Sequence, residues 1–552
     1  MNFIVVLGVD MGQQLRVISS NHLFISADKP NEAATLVLEQ DRVAQVLPRE
    51  AFAQFAGQAD ALDVGDNFVC PGFHDAHQHV FHAALFPSRL ATEYPGTSEK
   101  DCVEHMREFA ATRPGNGWLV SHGWREILWS PSNVPTRASL DEVFPNRPVA
   151  MYSGDAHTLW LNSCGMRELG ITDDTTPPAG GSFDRDEQGH LTGVLREAAG
   201  MVYIARILAS FSTEELKEIY ANYFKQLNAL GITNVCDMAL SLVAGADGIN
   251  SHIYEALQAD GCLSVRAHMY PTLTDDLSTL EDLQARLTGP KLRAPGFKQF
   301  FDGVSSQHTA WCSQPYTNAR FAGDVGRPTV SPERMRELVL KAAAAGHSVR
   351  IHTIGDRAVS EALAIFEEAH ARYGTPTQGA NTMEHIEDIV PSDLTRFAAA
   401  QVVASVQPPH VTIDITQPAR DLGEQRASRM WPFAQMLDAG ATLALGTDAP
   451  VVSANSGDVL YTACTRKTPV GHQPAGGWYP EHALTRIQTV AAYTQGSAAA
   501  TGRAHELGTL EPGMFADLVV WDTNLLSCAD EQLQLARPIL TVCAGEKVFE
   551  RA

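Results

Sequence analysis

No stretch of about eighteen apolar residues occurs anywhere in the chain, so no membrane-spanning helix is expected. Basic residues are scarce: Lys and Arg number 41 against 64 Asp and Glu, a formal net charge of -23. A surface so poor in positive charge excludes the phosphate contacts that a nucleic-acid partner demands, and an anionic membrane surface with them. Cysteines at metal or redox spacing are also missing. Cys70, Cys102, Cys164, Cys236, Cys262, Cys312, Cys464, Cys528 and Cys543 are scattered, odd in number and form no C-x-x-C. That pattern suits free thiols in a reducing compartment rather than a disulfide framework. No GxGxxG or GxxxxGK[ST] follows an apolar run, so a dinucleotide fold and a P-loop site find no support. The opening MNFIVVLGVDMG lacks a basic segment and has an early Asp10, so it reads as a strand or extension rather than a targeting signal. A cytoplasmic location is expected.

What is present is a globular composition. The 552 residues are 44% hydrophobic and 19% charged, enough for a large core and two or three structural units. Short β-type runs split by turn signals fill the first ~68 residues, and ELGTLEPGMFADLVVWD begins a similar pattern near the other end. Residues 1–68 and 504–552 are expected to pair as one small β-sandwich domain. Between them a helix–Gly–strand theme repeats. Ser212-Thr-Glu-Glu215 is a capping box whose helix closes at Gly231. Ser331 with Pro332 opens another, with Met335, Leu338, Val339 and Ala342 on one face and Gly346 at its end.

Eight strand-like segments follow this theme: FVCPGFHDAHQH, TNVCDMA, SVRAHMY, FKQFFDG, SVRIHTI, NTMEH, VVASVQ and TLALGTD. Alternating helix and buried strand means a parallel sheet. Eight such units predict an α/β fold of the (β/α)8 TIM-barrel type over residues 69–503, with its active site at the strands' C-terminal ends. The first gap is too long for one helix, so an α+β insertion is expected over about 97–210.

The strand ends carry unusual residues. Alternate side chains on a strand point the same way, so His77 and His79 face one side at the end of the first. An HxH alone suits a hydrogen-bonded core pair as well as a ligand pair. His352 ends the fifth strand, His385 the sixth and Asp448 the eighth, while Lys298 stands on the fourth among Phe297, Phe300 and Phe301. Imidazoles and a carboxylate gathered at one mouth are the donor set of a metal site.

At this point the sequence resembles the amidohydrolase superfamily, and within it the family-3, YtcJ-like metal-dependent hydrolases. The resemblance rests on PGFHDAHQH, SGDAHTLWLNS, TGVLRE, GITNVCDM, FKQFFDGVSSQHTA, RIHTIGDRAV, MEHIEDI, SVQPPH, ALGTDAPV and LGTLEPGMFADLVVWD. It implies that His77 and His79 hold the more buried metal and that Lys298, carboxylated by CO₂, bridges two ions. It implies His352 and His385 as ligands of the second ion, and Asp448 as a ligand that also moves protons. His157 matches a histidine of the inserted segment that reaches the substrate. Two Zn²⁺ per chain are expected, although this donor set also suits manganese, iron or cobalt.

These residue types fit hydrolysis. Burial lowers a lysine's pKa and exposes the neutral amine to CO₂. Zinc brings the pKa of its water to roughly 7. Asp448 would take a proton from the attacking water and deliver it to a leaving nitrogen. The expected reaction is cleavage of a C–N amide-type bond in a small N-acyl or N-formyl compound. Trp124, His308, Arg466 and His410 are the candidate substrate contacts, and a homodimer is the candidate assembly.

Three places depart from the family pattern. His74 stands where an aliphatic residue is usual, His308 where an arginine is common, and VFHAALF lacks a glycine often found after the HxH. No member's specificity is therefore carried over. Two rival readings are a mononuclear deaminase, whose glutamate beside the fifth-strand histidine is absent from HTIGD, and a non-catalytic barrel serving as a binding protein.

Overall fold

The computed structural model describes residues 14–154, 158–178, 181–203, 206–207, 210–240 and 248–551. The N-terminal run read above as a strand or extension lies outside them. Two compact units divide the chain. One comprises residues up to 78, 224–238 and 260 onward, and the other comprises 79–223 and 239–259.

In the first unit eight parallel strands coincide with the eight sequence segments. They are β1 (Phe73–Gln78), β2 (Ile232–Met238), β3 (Arg266–Tyr270), β4 (Gly296–Phe300), β5 (Ser348–Thr353), β6 (Thr382–His385), β7 (Val403–Val406) and β8 (Leu443–Leu445). β1–β2–β3 form one parallel ladder and β4 to β8 another. Isolated parallel bridges, Thr272 with Lys298 and Gln78 with Ala449, carry the order from β3 to β4 and from β8 back to β1. Nearly every residue of these strands is buried, which is why they read as apolar runs rather than alternating ones.

The intervening helices begin and end where their capping residues dictate. Ser331 Oγ accepts the Arg334 amide, Pro332 opens the helix Pro332–Ala344, and Met335, Leu338, Val339 and Ala342 are buried. Gly346, at φ +80°, then turns the chain into β5, a conformation costly for other residues.

A second sheet in this unit draws on both ends of the chain. Glu546–Glu550, Pro538–Cys543, Leu518–Trp521, Phe68–Pro71, Val17–Leu23, Glu32–Glu39 and Arg42–Pro48 follow one another in it. Ile18, Leu36, Val43, Val69, Leu518, Val520 and Leu540 fill its core. The buried Arg266–Asp517 ion pair, with Nε–Oδ2 at 2.7 Å, ties β3 to the segment leading into Leu518.

The sequence reading ran FVCPGFHDAHQH as one strand, and the structure corrects this. Phe68–Pro71 pairs antiparallel with Leu518–Trp521, and only Phe73–Gln78 joins β2. The chain changes partners at Gly72, where a Cβ would fall 2.1 Å from Thr233 Oγ1. Val69–Pro71 therefore belong to the sheet of the chain ends, not to the parallel strands.

The second unit contains a six-stranded sheet in the order Gly181–Arg185, Leu191–Glu197, Thr158–Leu161, Val149–Ser153, Leu119–Trp124, Ala91–Glu93. The helix Glu99–Thr112, capped by Ser98, buries Cys102, Val103 and Met106. Those side chains share a core with Trp124, Trp129, Trp160, Val149 and Met151.

Candidate metal centre

Six of the predicted residues meet at the C-terminal ends of the parallel strands. His77, on β1, is 1% exposed, with Nδ1 2.8 Å from Glu384 Oε2 and Nε2 3.4 Å from Asp448 Oδ1. The His77 and His385 rings lie 4.9 Å apart, and those of His352 and His385 lie 4.4 Å apart. His410 stacks parallel to His385 at 5.8 Å, with Nε2 3.6 Å from Asp448 Oδ2. Ligand atoms of His385, His410 and Asp448 all fall within 4.8 Å of one another. His79 follows two residues after His77 and is the first residue of the second unit.

The backbone aims these groups. His385 and Asp448 have φ of +73° and +62°, so each leaves the strand conformation just where it presents its side chain. Asp75 fixes the β1 end to the β8 end. It accepts the amides of His77 and Thr447, Thr447 Oγ1 at 2.7 Å and Gln78 Nε2 at 2.7 Å. Its burial pushes its own pKa up to about 6 against those hydrogen bonds. The Asp448 amide donates to the His77 carbonyl at 2.7 Å. A side chain at Gly446 would collide with the His77 backbone, at 2.6 Å.

Burial also sets the protonation states. It lowers His77 to about 4, with Lys298 adding to the effect and Glu384 and Asp448 opposing it. His352 and His385 are held well below the ordinary imidazole range by burial, reinforced by Lys298 at His352 and by His352 at His385. Neutral imidazoles of this kind offer lone pairs to a cation. Lys298 is fully buried, and its Nζ has no hydrogen-bond partner among the described residues. Burial lowers it to about 8, although Glu384 and Asp448 favour its charge. His410 goes the other way: Glu387, its Oε1 3.7 Å from Nδ1, and Asp448 outweigh burial and raise its pKa. The donor set therefore fits divalent metal.

Three supporting residues escaped the sequence reading. Glu384 receives His77 Nδ1 and, at 3.0 Å, Arg350 Nη1. Burial opposes its charge, yet His77, Arg350 and Lys298 hold its pKa down to about 2. Gln407 Oε1 lies 2.8 Å from His385 Nδ1. Glu384 and Gln407 orient the rings from behind, and Asp75 holds the His77 backbone. Asp75 was accessible, because it precedes His77 by two on the same strand. Glu384 and Gln407 were not, because their roles depend on pairings across strands.

Three predicted substrate contacts have partners of their own within the protein. Arg466 is fully buried and spends its guanidinium on the carbonyls of Trp478, Trp431 and Met430. His308 is paired with Asp324 at 2.6 Å and stacked on Tyr316, which pins a loop. Trp124 lies in the core of the second unit, and its indole donates to the Met151 carbonyl at 2.9 Å. In each case satisfying a buried polar group explains the residue. His157, read as a substrate contact, lies outside the described residues. Asp302, four residues after Lys298, accepts the amides of Trp311, Ile354 and Gly355.

Known proteins resemble this chain over most of its length. A model of the amidohydrolase family matches residues 60–549. A putative amidohydrolase YtcJ of Bacillus subtilis (strain 168) is 25% identical over 499 residues, covering 90% of this chain and 91% of that protein. An N-substituted formamide deformylase of Arthrobacter pascens is 25% identical over 564 residues, covering 98% and 99%. The crystal structure of an uncharacterized metal-dependent hydrolase from Pyrococcus horikoshii OT3 superposes with a TM-score of 0.76 at 23% identity, covering 93% of this chain and 99% of that one.

Proposed function

The chain belongs to the amidohydrolase family, and from that premise we propose that it is a metal-dependent hydrolase cleaving a C–N amide-type bond of a small N-acyl or N-formyl compound. The observation that carries this reading is the convergence of the buried His77, Lys298, His352, His385 and Asp448, with the partly buried His410, at one end of eight parallel strands. We read those strands as a (β/α)8 barrel and the sheet of the chain ends as its accompanying β-sandwich. The relative named as an N-substituted formamide deformylase supports the choice of bond.

His77 and His79 would hold one divalent ion, and His352 and His385 a second. Lys298, carboxylated on Nζ, would bridge them, with Asp448 as a further ligand. Bound there, the metal supplies a lowered pKa for water and polarisation of a carbonyl oxygen. Lys298 suits carboxylation because its lowered pKa leaves a larger share of neutral amine near pH 7. Glu384 and Gln407 keep the His77 and His385 rings turned so that the opposite nitrogen faces inward. Asp448 accepts the proton released when water adds to the carbonyl carbon and returns it to the leaving nitrogen. His410, whose charged form is favoured by Glu387 and Asp448, is placed to donate a hydrogen bond beside that carboxylate.

The test is metal content per chain by plasma mass spectrometry on protein purified without chelators, followed by a screen of N-formyl and N-acyl amines. About two equivalents with turnover is the expected result. One equivalent, with turnover only on aminated heterocycles, would replace the proposal by a mononuclear deaminase. In the Lys298→Ala variant turnover should fall and recover in part with added short-chain carboxylates. Unchanged turnover in that variant would exclude the bridging role.

A further inference from the structure

We propose that His74, Cys236 and His268 form a second, closed metal site for a soft monovalent ion, Cu(I), separate from the hydrolytic centre. The three residues come from β1, β2 and β3, are at most 2% exposed, and place one ligand atom each within 4.8 Å of the others. Cys236 Sγ lies 3.4 Å from His74 Nε2, and the His74 and His268 rings stack at 4.9 Å. His74 Nδ1 has no partner among the described residues, so its contacts with polar atoms run toward the sulfur. His74 is also a residue that the hydrolytic reading leaves unused.

Donor type and charge choose the ion. Two imidazoles and one thiolate are a soft, three-coordinate set, and structural zinc takes four ligands. No fourth His, Cys, Asp or Glu joins the group among the described residues. Arg350 Nη2 lies 3.7 Å from Cys236 Sγ, and Arg503 Nη1 lies 3.1 Å from His268 Nε2. Each guanidinium already has its own carboxylate, Glu384 at 3.0 Å and Glu506 at 2.6 Å. A monovalent ion with one thiolate adds no net charge to this buried setting, whereas a divalent ion would add one.

Binding exchanges the Cys236 thiol proton, released to solvent, for the ion, and no electron moves. Because all three ligands are buried, the ion is taken up as the chain folds. Where His268 Nε2 is the ligand atom, Arg503 gives up that contact and keeps Glu506 and the Pro290 carbonyl.

The experiment expresses the full chain in copper-supplemented medium and challenges it anaerobically with the chelator bicinchoninate. One Cu(I) per chain should be withheld from the chelator. X-ray absorption on the wild-type protein should show one sulfur neighbour, which needs no variant to fold. Cys236→Ala should weaken retention at least tenfold, while His385→Ala, which removes a ligand of the hydrolytic centre, should leave the copper in place. Surrender of all copper by the wild type, equal retention by Cys236→Ala, or absence of a sulfur neighbour would each overturn the proposal. So would zinc lost specifically on Cys236→Ala. Zinc measured in the same samples reports on the hydrolytic centre independently.

Discussion

Two histidine clusters are built on the same set of parallel strands, and they differ in what stands behind the rings. At the strand ends His77 is backed by Glu384, His385 by Gln407 and His410 by Glu387. Deeper along β1 to β3, His74 and His268 have the guanidinium groups of Arg350 and Arg503 as neighbours instead. Arg350 belongs to both regions, since it donates to Glu384 and to the Tyr270 hydroxyl beside Cys236. An acceptor behind an imidazole turns its other nitrogen outward as a ligand and tolerates added positive charge. A cation behind it disfavours any further charge, which is why the two clusters suit different ions.

The comparison is broken most severely at Asp448. Asp448→Asn should retain at least one metal ion yet lose about 10²–10⁴-fold in turnover, the range of a positioned acid–base group. Near-normal turnover would remove the proton-transfer role from the strand-end cluster.

Glu384→Gln tests the backing itself. It should weaken metal binding at His77 by about 10–100-fold, measured by chelator competition. The same variant carries a pH signature. The folded pKa of Glu384, about 2, lies below its ordinary 4.5. Its stabilisation is therefore fully present above pH 4.5 and lost as the pH falls toward 2. The variant should be less stable near neutrality and should show a flatter stability curve through that acid window. Denaturant melts at several pH values decide this, and identical slopes would contradict it.

Arg466 sharpens the contrast between buried cations. Lys298 has no hydrogen-bond acceptor among the described residues, whereas Arg466 has three carbonyls. Arg466→Met should cost about 3 kcal/mol by stranding those carbonyls, with turnover per folded molecule preserved. Loss of turnover without loss of stability would return Arg466 to the substrate pocket. The smallest effect is expected at Trp124→Phe, where one buried hydrogen bond to Met151 is lost for about 1 kcal/mol.

How far these features were legible depended on whether they were local. Strand positions followed from apolar runs placed after a helix-closing Gly, as at Gly231 and Gly346, and the helix starts at Ser212 and Ser331 followed from caps that act within four residues. The candidate ligands were legible because a lysine among phenylalanines and histidines at strand ends have few purely structural explanations. At Arg466, His308 and Trp124 the sequence does not show what satisfies the polar group. The carbonyls that hold Arg466 come from positions 430, 431 and 478.

The sequence by itself determined the order of the elements, the parallel strands and the residues at their ends, because periodicity, capping and turn chemistry act over a few residues. Only the tertiary structure decided that Phe68–Pro71 leaves β1 for the sheet of the chain ends. It alone brought Glu384 behind His77 and Gln407 behind His385, and gathered His74, Cys236 and His268 into one buried group. Those relations join residues up to 453 positions apart, as in the β ladder linking Phe68 with Trp521. Closing such loops depends on the packing of whole sheets rather than on local preference.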